Sequence, residues 1–304
     1  MTTGRFARLS AASALGLSTF LSPIGLPPAG AASDPVVVAA GDIATCNSGG
    51  DGATADLVGS IPGTVLTLGD NAYPDGSAAD YTRCYGPTWG RPGIKSRTRP
   101  APGNHEYVTR GASGYYNFFG AAAGDSRKGW YSFDLGAWHL VSLNSNCIDG
   151  CGPGSPMERW LKADLAASPH RCILASWHHP RFFFPAIAPG ASHLEKVDTR
   201  MSAIWSDLQA AGADLVLAGH RHVYERFPRQ DAAGHLTPSG LREFIVGTGG
   251  AIHEAFKGPS APNSQIRQAQ TFGAIKLTLH PGRYDWQFVP TAGGFTDSGS
   301  DTCG

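Results

Sequence analysis

The sequence predicts an α/β protein with stacked β-sheets and outer helices. Three observations carry this: strand-length apolar runs recur along the chain, helical patterns lie between them, and the C-terminal region alternates like a hairpin. The runs are PVVVAAGD (35–42), TVLTLGD (64–70), HLVSLNSN (139–146), RCILASWHH (171–179), ADLVLAGH (213–220) and REFIVGTGG (242–250). Short apolar runs bounded by glycine and polar residues suit strands buried on both faces. SPMERWLKADLAAS (155–168) predicts a helix. It opens on Ser155-Pro156, a cap and first-turn pair, and spaces Met157, Trp160, Leu161 and Leu165 helically. HLEKVDTRMSAIWSDLQAAG predicts a second helix over 193–212, closed by Gly212. FGAIKLTLHPGRYDWQFV (272–289) alternates around Pro281-Gly282 and predicts a hairpin. No repeat or linker divides the chain, so one domain is expected over 32–304.

The residues before it have the layout of a Sec-type secretory signal peptide, 1–31. Arg5 and Arg8 precede a weakly apolar run, and Ala29-Gly30-Ala31 fits an A-x-A cleavage site. A secreted protein is expected. Removing 1–31 takes two arginines and no acids, so 24 basic residues fall to 22 against 24 acidic ones, a formal charge of −2. Neither balance creates a field that favours nucleic acid or an anionic membrane. No later segment is long and apolar enough to span a bilayer. Forty glycines and 22 prolines point to many turns and long loops. Six cysteines in an exported chain suggest up to three disulfides. Cys147 and Cys151 are close enough to pair across a tight loop. Cys46–Cys84 and Cys172–Cys303 complete the expected set among 15 possible pairings, with a buried free thiol the alternative for Cys172.

The chemistry concentrates where the runs end. Asp42 follows VVVAAG, Asp70 follows VLTLG, and RPAPGNHE (99–106) delivers Asn104 and His105. His178 and His179 close CILASWHHP, while His220 and His222 close LVLAGHRH. Loops beyond the carboxyl ends of strands are where open α/β sheets build their sites. Strand alternation would aim His220 and His222 to one side. Singly, each element is common; together, they supply the ligands of two metals.

The motifs GD (41–42), GDNAY (69–73), GNHE (103–106), HHP (178–180) and GHRHVYER (219–226) resemble the calcineurin-like metallophosphoesterases, and most closely their purple acid phosphatase branch. The resemblance runs from about residue 36 to 250, and VGTGG (246–250) also looks like a loop of the family. It implies two stacked mixed β-sheets flanked by helices, an α/β/β/α sandwich. It further implies a first metal, Fe(III), held by Asp42, Asp70, Tyr73 and His222. A second metal, Fe(II), Zn or Mn, would be held by Asp70, Asn104, His178 and His220, with Asp70 bridging. Carboxylate, phenolate and amide oxygens suit hard cations, and imidazole suits iron, zinc or manganese. His105 would stabilise the phosphoryl oxygens or protonate the leaving group.

The implied reaction is hydrolysis of a small-molecule phosphomonoester by attack of a metal-bound hydroxide. A phosphodiesterase or nucleotidase on the same site, and a non-catalytic phosphate-binding protein, are the alternatives. His179 could face substrate or merely pack. His193 could reach substrate from its Pro/Gly-rich loop. Arg181 could bind a phosphate oxygen or pair with an acid, and PRFFFPAIAPGAS (180–192) could wall the cleft or pack as a loop. Plant members carry a separate N-terminal β-domain, which is not expected here. The chain departs from the branch pattern at Ala44, where glycine is common, and at Ala175, where valine is usual. Asp42-Ile43-Ala44 also lacks the D-x-H histidine of other branches, and Tyr73 supplies a ligand that Ala44 cannot.

Overall fold

Thr64–Leu68 is an apolar run buried at four of its five residues, and strands of this kind alternate with helices through the first two-thirds of the chain. The computed structural model describes residues 1–4, 33–186, 195–256 and 259–304. The expected signal peptide therefore lies almost wholly outside the described residues. Asp34–Gly304 forms one compact unit, and only that unit is considered below.

In chain order it begins with β1 (Val36–Ala40), α1 (Gly50–Ser60), β2 (Thr64–Leu68), α2 (Ala78–Asp80), α3 (Pro92–Lys95) and β3 (Thr98–Ala101). There follow α4 (Ser113–Phe119), β4 (Tyr131–Leu135), β5 (Trp138–Ser142), α5 (Pro156–Ala167), β6 (Cys172–Ser176), β7 (Phe182–Ala186) and β8 (Glu195–Val197). The chain closes with α6 (Ser202–Ala210), β9 (Leu215–Ala218), β10 (Tyr224–Arg226), β11 (Arg242–Val246), β12 (Ile266–Gln268), β13 (Gly273–His280), β14 (Arg283–Pro290) and β15 (Ser298–Thr302).

Two mixed sheets result. One has the order β15-β14-β13-β1-β2-β3, the other β12-β10-β11-β9-β6-β5-β4, and β7 and β8 pair separately. Each sheet has a parallel part: β1-β2-β3 runs to one edge of the first, with antiparallel strands on the other side, and β11-β9-β6-β5 forms the centre of the second, with antiparallel margins. The expected hairpin is present: His280 pairs with Arg283 and the register runs to Gly273 opposite Pro290.

Side-chain alternation explains the layering. Leu174, Leu215 and Leu217 join the cluster that contains Val37, Leu66 and Leu68 of the first sheet, so these faces pack together. Ile173, Ala175 and Val216 point the other way, against Met157 and Leu161 of α5 and Ile204, Trp205 and Leu208 of α6. Each such large apolar side chain contributes about 1.5–3 kcal/mol through burial. α5 begins as expected, with Ser155 Oγ accepting the Glu158 N–H at 3.2 Å and proline in the first turn. Among the described residues all three expected disulfides form, Cys46–Cys84, Cys147–Cys151 and Cys172–Cys303.

The helix expected over 193–212 is shorter. Glu195–Val197 is a strand paired with β7, and the helix starts only at Ser202. Asp198 is the reason: its carboxylate accepts the Arg200 N–H at 2.9 Å, a local turn that competes with helix.

Candidate metal centre

Five loops at the carboxyl ends of β1, β2, β3, β6 and β9 converge, and their backbones are bent hard to do so. Asp42, Asp70 and His220 have φ of 59°, 49° and 69°, left-handed values that cost about 1–3 kcal/mol each in a residue with a side chain. Hydrogen bonds hold the bends. The N–H groups of Asp42 and Ile43 donate to the carbonyls of Gly69 and Asp70 at 3.0 and 2.9 Å, tying the first two loops together. His220 and His222 do share one side, but not through strand alternation. The chain there makes tight turns, with Arg221 N–H donating to Gly219 O and Val223 N–H to Arg221 O. At Gly103 a Cβ would lie 2.1 Å from Asp70 Oδ1, so only glycine lets the third loop approach the second.

Each carboxylate is half used. Asp42 Oδ2 accepts the His220 N–H at 2.8 Å and Asp70 Oδ1 accepts the His105 N–H at 2.9 Å. Their other oxygens face inward. Tyr73 Oη lies 3.1 Å from Asp42 Oδ1, 3.1 Å from Asp70 Oδ2 and 3.0 Å from His222 Nε2. One hydroxyl is thus crowded by two carboxylate oxygens and an imidazole nitrogen. Beside them, His178 Nε2 is 3.3 Å from Asp70 Oδ2, 3.0 Å from Asn104 Oδ1 and 3.2 Å from His220 Nδ1. His178 Nδ1 faces the Leu68 carbonyl and His222 Nδ1 the Ile252 carbonyl, so both rings carry N–H there and offer Nε2 to the centre.

The charge distribution calls for a cation. Burial disfavours charging His178, but Asp70 outweighs it and holds the imidazole up at about 9. Burial likewise opposes charging His222, and Asp42 lifts it to about 9. His220 is pushed well down, first by burial and then by His178. Burial, then the Asp42 and Asp70 carboxylates, keep the Tyr73 phenol well above its ordinary value. With no cation, protons on His178 and His222 balance the two carboxylates, and a metal ion would take their place. Asp42, Asp70 and His178 each offer an atom within 4.8 Å of the others, as do His178, His179 and His220. The donor set fits two metal ions: two carboxylates, a phenol, an amide and three imidazoles.

The remaining expected residues divide. His105 lies beside these donors, about a third exposed, with Nε2 3.8 Å from Asp70 Oδ2. His179 is buried, and its Nδ1 is 2.9 Å from Ser145 Oγ. Arg181 is buried too. Its guanidinium donates to the carbonyls of Asp198 and Ala232, which occupy it in packing rather than at the centre. His193 falls outside the described residues. Sequence reasoning missed Glu106, although it is the last letter of GNHE. Its buried carboxylate accepts the N–H groups of Asp70 (3.0 Å), Asn71 (2.8 Å) and Gly103 (2.6 Å) and the Tyr81 hydroxyl (3.1 Å). It fastens the loop carrying Asp70 to the loop carrying Asn104 and His105. An open pocket of about 500 Å³ covers the centre, lined by Asp70, Asn104, His105, His220 and His222 and by Arg221, Ile252, His253 and Glu254.

Residues 35–224 match the profile of the calcineurin-like phosphoesterase family. Purple acid phosphatase 22 of Arabidopsis thaliana is 31% identical over 157 residues, covering 51% of this chain and 35% of that protein. Purple acid phosphatase 15 of the same plant is 26% identical over 226 residues, 64% of this chain and 41% of that protein. The chain thus spans between a third and a half of the length of these curated relatives. Among solved structures, a purple acid phosphatase from yellow lupin superposes with a TM-score of 0.74 at 19% identity, over 89% of this chain and 54% of that one. GAP50, described as the anchor in the inner membrane complex of Plasmodium, superposes with a TM-score of 0.64 at 12% identity, over 88% of each chain. These two likenesses speak for the fold alone. Taken with the family match, the chain belongs to the calcineurin-like phosphoesterase family, on its purple acid phosphatase-like branch.

Proposed function

We propose that this chain is a secreted phosphatase with two metal ions that hydrolyses phosphomonoesters. The observation that carries the reading is the convergence of metal-capable atoms: Asp42, Asp70, Tyr73, Asn104, His178, His220 and His222 bring side-chain oxygens and nitrogens to within 3.0–3.4 Å of neighbours in the set. Asp42, Asp70, Tyr73 and His222 would hold Fe(III), and Asp70, Asn104, His178 and His220 would hold Fe(II), Zn or Mn. Two such cations supply charge neutralisation at the phosphoryl oxygens and a water acidified enough to attack near neutral pH. A phenol with a pKa this far above about 10 becomes a ligand only to a strongly acidic cation, which is why Tyr73 favours iron(III). His105 is the residue left over for the proton. Its Nδ1 is fixed on the Pro74 carbonyl, and Nε2 faces the pocket to bond a phosphoryl oxygen or to hand a proton to the leaving oxygen.

A shared fold does not by itself imply a shared activity; the reading rests on the donor set. Secretion is supported by the three disulfides, which persist in oxidising compartments. No helix among the described residues is long and apolar enough to cross a membrane. The deciding experiment pairs metal analysis and an absorption spectrum with turnover of an aryl phosphate and a bis-aryl phosphate. Two bound metals, a visible phenolate-to-iron band and preference for the monoester are expected. Preference for the diester would move the assignment to a phosphodiesterase, and absence of metal would end it.

A further inference from the structure

The pocket is lined by the metal-capable residues Asp70, Asn104, His105, His220 and His222, and also by Arg221 and the segment Ile252, His253 and Glu254. In that segment Ile252 is 73% exposed, and it is the one exposed large hydrophobic side chain among the pocket's lining residues. A single exposed apolar side chain is ordinary on a protein surface; this one stands out for its place in the pocket and for its fixed backbone. This segment is not free. His222 Nδ1–H donates to the Ile252 carbonyl at 2.6 Å, Glu254 N–H donates to the His222 carbonyl at 3.1 Å, and Ala251 N–H donates to the Asp42 carbonyl at 2.9 Å. His253 stacks on Phe272 with ring centroids 4.0 Å apart. The backbone on both sides of Ile252 is therefore bolted to the elements that carry Asp42 and His222, and the apolar side chain is held out beside the centre.

The charges beside Ile252 are already spoken for. Arg221 is the sole Lys or Arg lining the pocket. It is ion-paired with Glu254 and lies over the rings of Phe183 and Phe184, at 5.4 and 4.6 Å. No unpaired guanidinium or ammonium among the lining residues waits for a second phosphate. Two other exposed large hydrophobics lie on segments tied to the third loop. Val108 N–H donates to the His105 carbonyl at 3.3 Å, and Ile148 follows Asn146, whose Nδ2 donates to the Gly103 carbonyl at 3.2 Å.

We infer that Ile252 is a specificity-determining residue that receives an apolar aryl or alkyl group on the leaving side of the ester. The substrate class is then phosphomonoesters of apolar alcohols, in preference to those of sugars or nucleoside polyphosphates. The inference rests on the phosphomonoesterase reading above. In that reaction the bond from phosphorus to the leaving oxygen breaks, a bond forms to the oxygen of water, and the leaving oxygen gains a proton. The products are the alcohol and inorganic phosphate.

The test measures, on the metal-loaded full chain, the affinity ratio of benzylphosphonate to methylphosphonate by calorimetry. It also measures the kcat/KM ratio of 1-naphthyl phosphate to glycerol 3-phosphate. Wild type should favour the apolar member in both. Ile252→Ser should lower both ratios by about tenfold, the scale of a lost apolar contact in a pocket, and Ile252→Leu should retain them. Thermal unfolding of each variant checks that the fold persists. Ratios near one in wild type, or unmoved by Ile252→Ser, overturn the inference. If benzylphosphonate is preferred but no monoester is turned over, the phosphomonoesterase reading falls while the apolar subsite stands. If monoesters are hydrolysed without apolar preference, the subsite falls alone.

Discussion

Glu106 and Glu243 are both buried completely, and both use a carboxylate to collect backbone N–H groups. Glu106 does so among the loops after β2 and β3, where it takes three close N–H donors and the Tyr81 hydroxyl. Glu243 does so in β11, behind the centre, where it accepts only from Arg181 N–H at 2.7 Å and Phe182 N–H at 2.9 Å. Burial raises both carboxyls. Glu243 is pushed up to about 8, because two N–H groups and the nearby Arg181 do not offset the loss of water. The same device serves two ends. At Glu106 it joins loops that carry functional groups; at Glu243 it fixes the start of an aromatic strand. Buried carboxylates are costly, and here each cost is set against backbone that would otherwise be unpaired.

If the Glu106 region exists to hold ligands, its loss should read out in metal, and the Glu243 region should read out in stability alone. The largest effect is expected at the residue both metal groups share. Asp70→Ala should empty the centre and lower turnover by more than about a thousandfold, since the two-metal clamp supplies several kcal/mol at about 1.4 kcal/mol per factor of ten. Retained metal by elemental analysis would break the bridging assignment. Next, His105→Ala should lower kcat by about 10²–10⁴-fold with metal content intact; unchanged turnover would remove His105 from the mechanism. Glu106→Gln keeps the volume but weakens the clamp, and metal affinity by titration should fall about 10–100-fold. A pure stability loss with unchanged affinity would make it equivalent to Glu243.

The smallest effect concerns Glu243. Its folded pKa of about 8 lies above the ordinary value of about 4.3, so the folded state holds the proton that the unfolded state releases. Stability should therefore decline as pH rises from about 4.3 to about 8 and stay low above it. Glu243→Gln should flatten that decline in urea midpoints while leaving metal affinity alone. A slope unchanged by the substitution would show that other groups set it.

Much of this was open to inspection in the chain. The apolar runs ending at Asp42, Asp70, His178 and His220 marked the strands, because burial on both faces leaves a continuous apolar signature. The residues at their ends pointed to metal chemistry only as a set, since each is common singly. Pro281-Gly282 marked the hairpin, and the cysteine partners matched expectation. The sequence fell short where chemistry is ambiguous. Arg181 stayed open between a phosphate oxygen and an acid, because a guanidinium serves many acceptors; its guanidinium donates to the Asp198 and Ala232 carbonyls. The segment 193–212 read as one helix because apolar spacing does not reveal that Glu195–Val197 has a strand to pair with.

What the sequence determined by itself is local: which segments are strands, which residue types stand at their ends, and which donors are available. These follow from side-chain polarity and from the conformations that glycine and proline permit. What only the tertiary structure decided is convergence. Tyr73 meets His222, Asn104 meets His178 and His220, Glu106 joins two loops, and Ile252 is held beside them. Those partners are up to 149 residues apart. Nothing local encodes such contacts, because they depend on the order in which strands enter two sheets and on the left-handed turns that aim each loop inward.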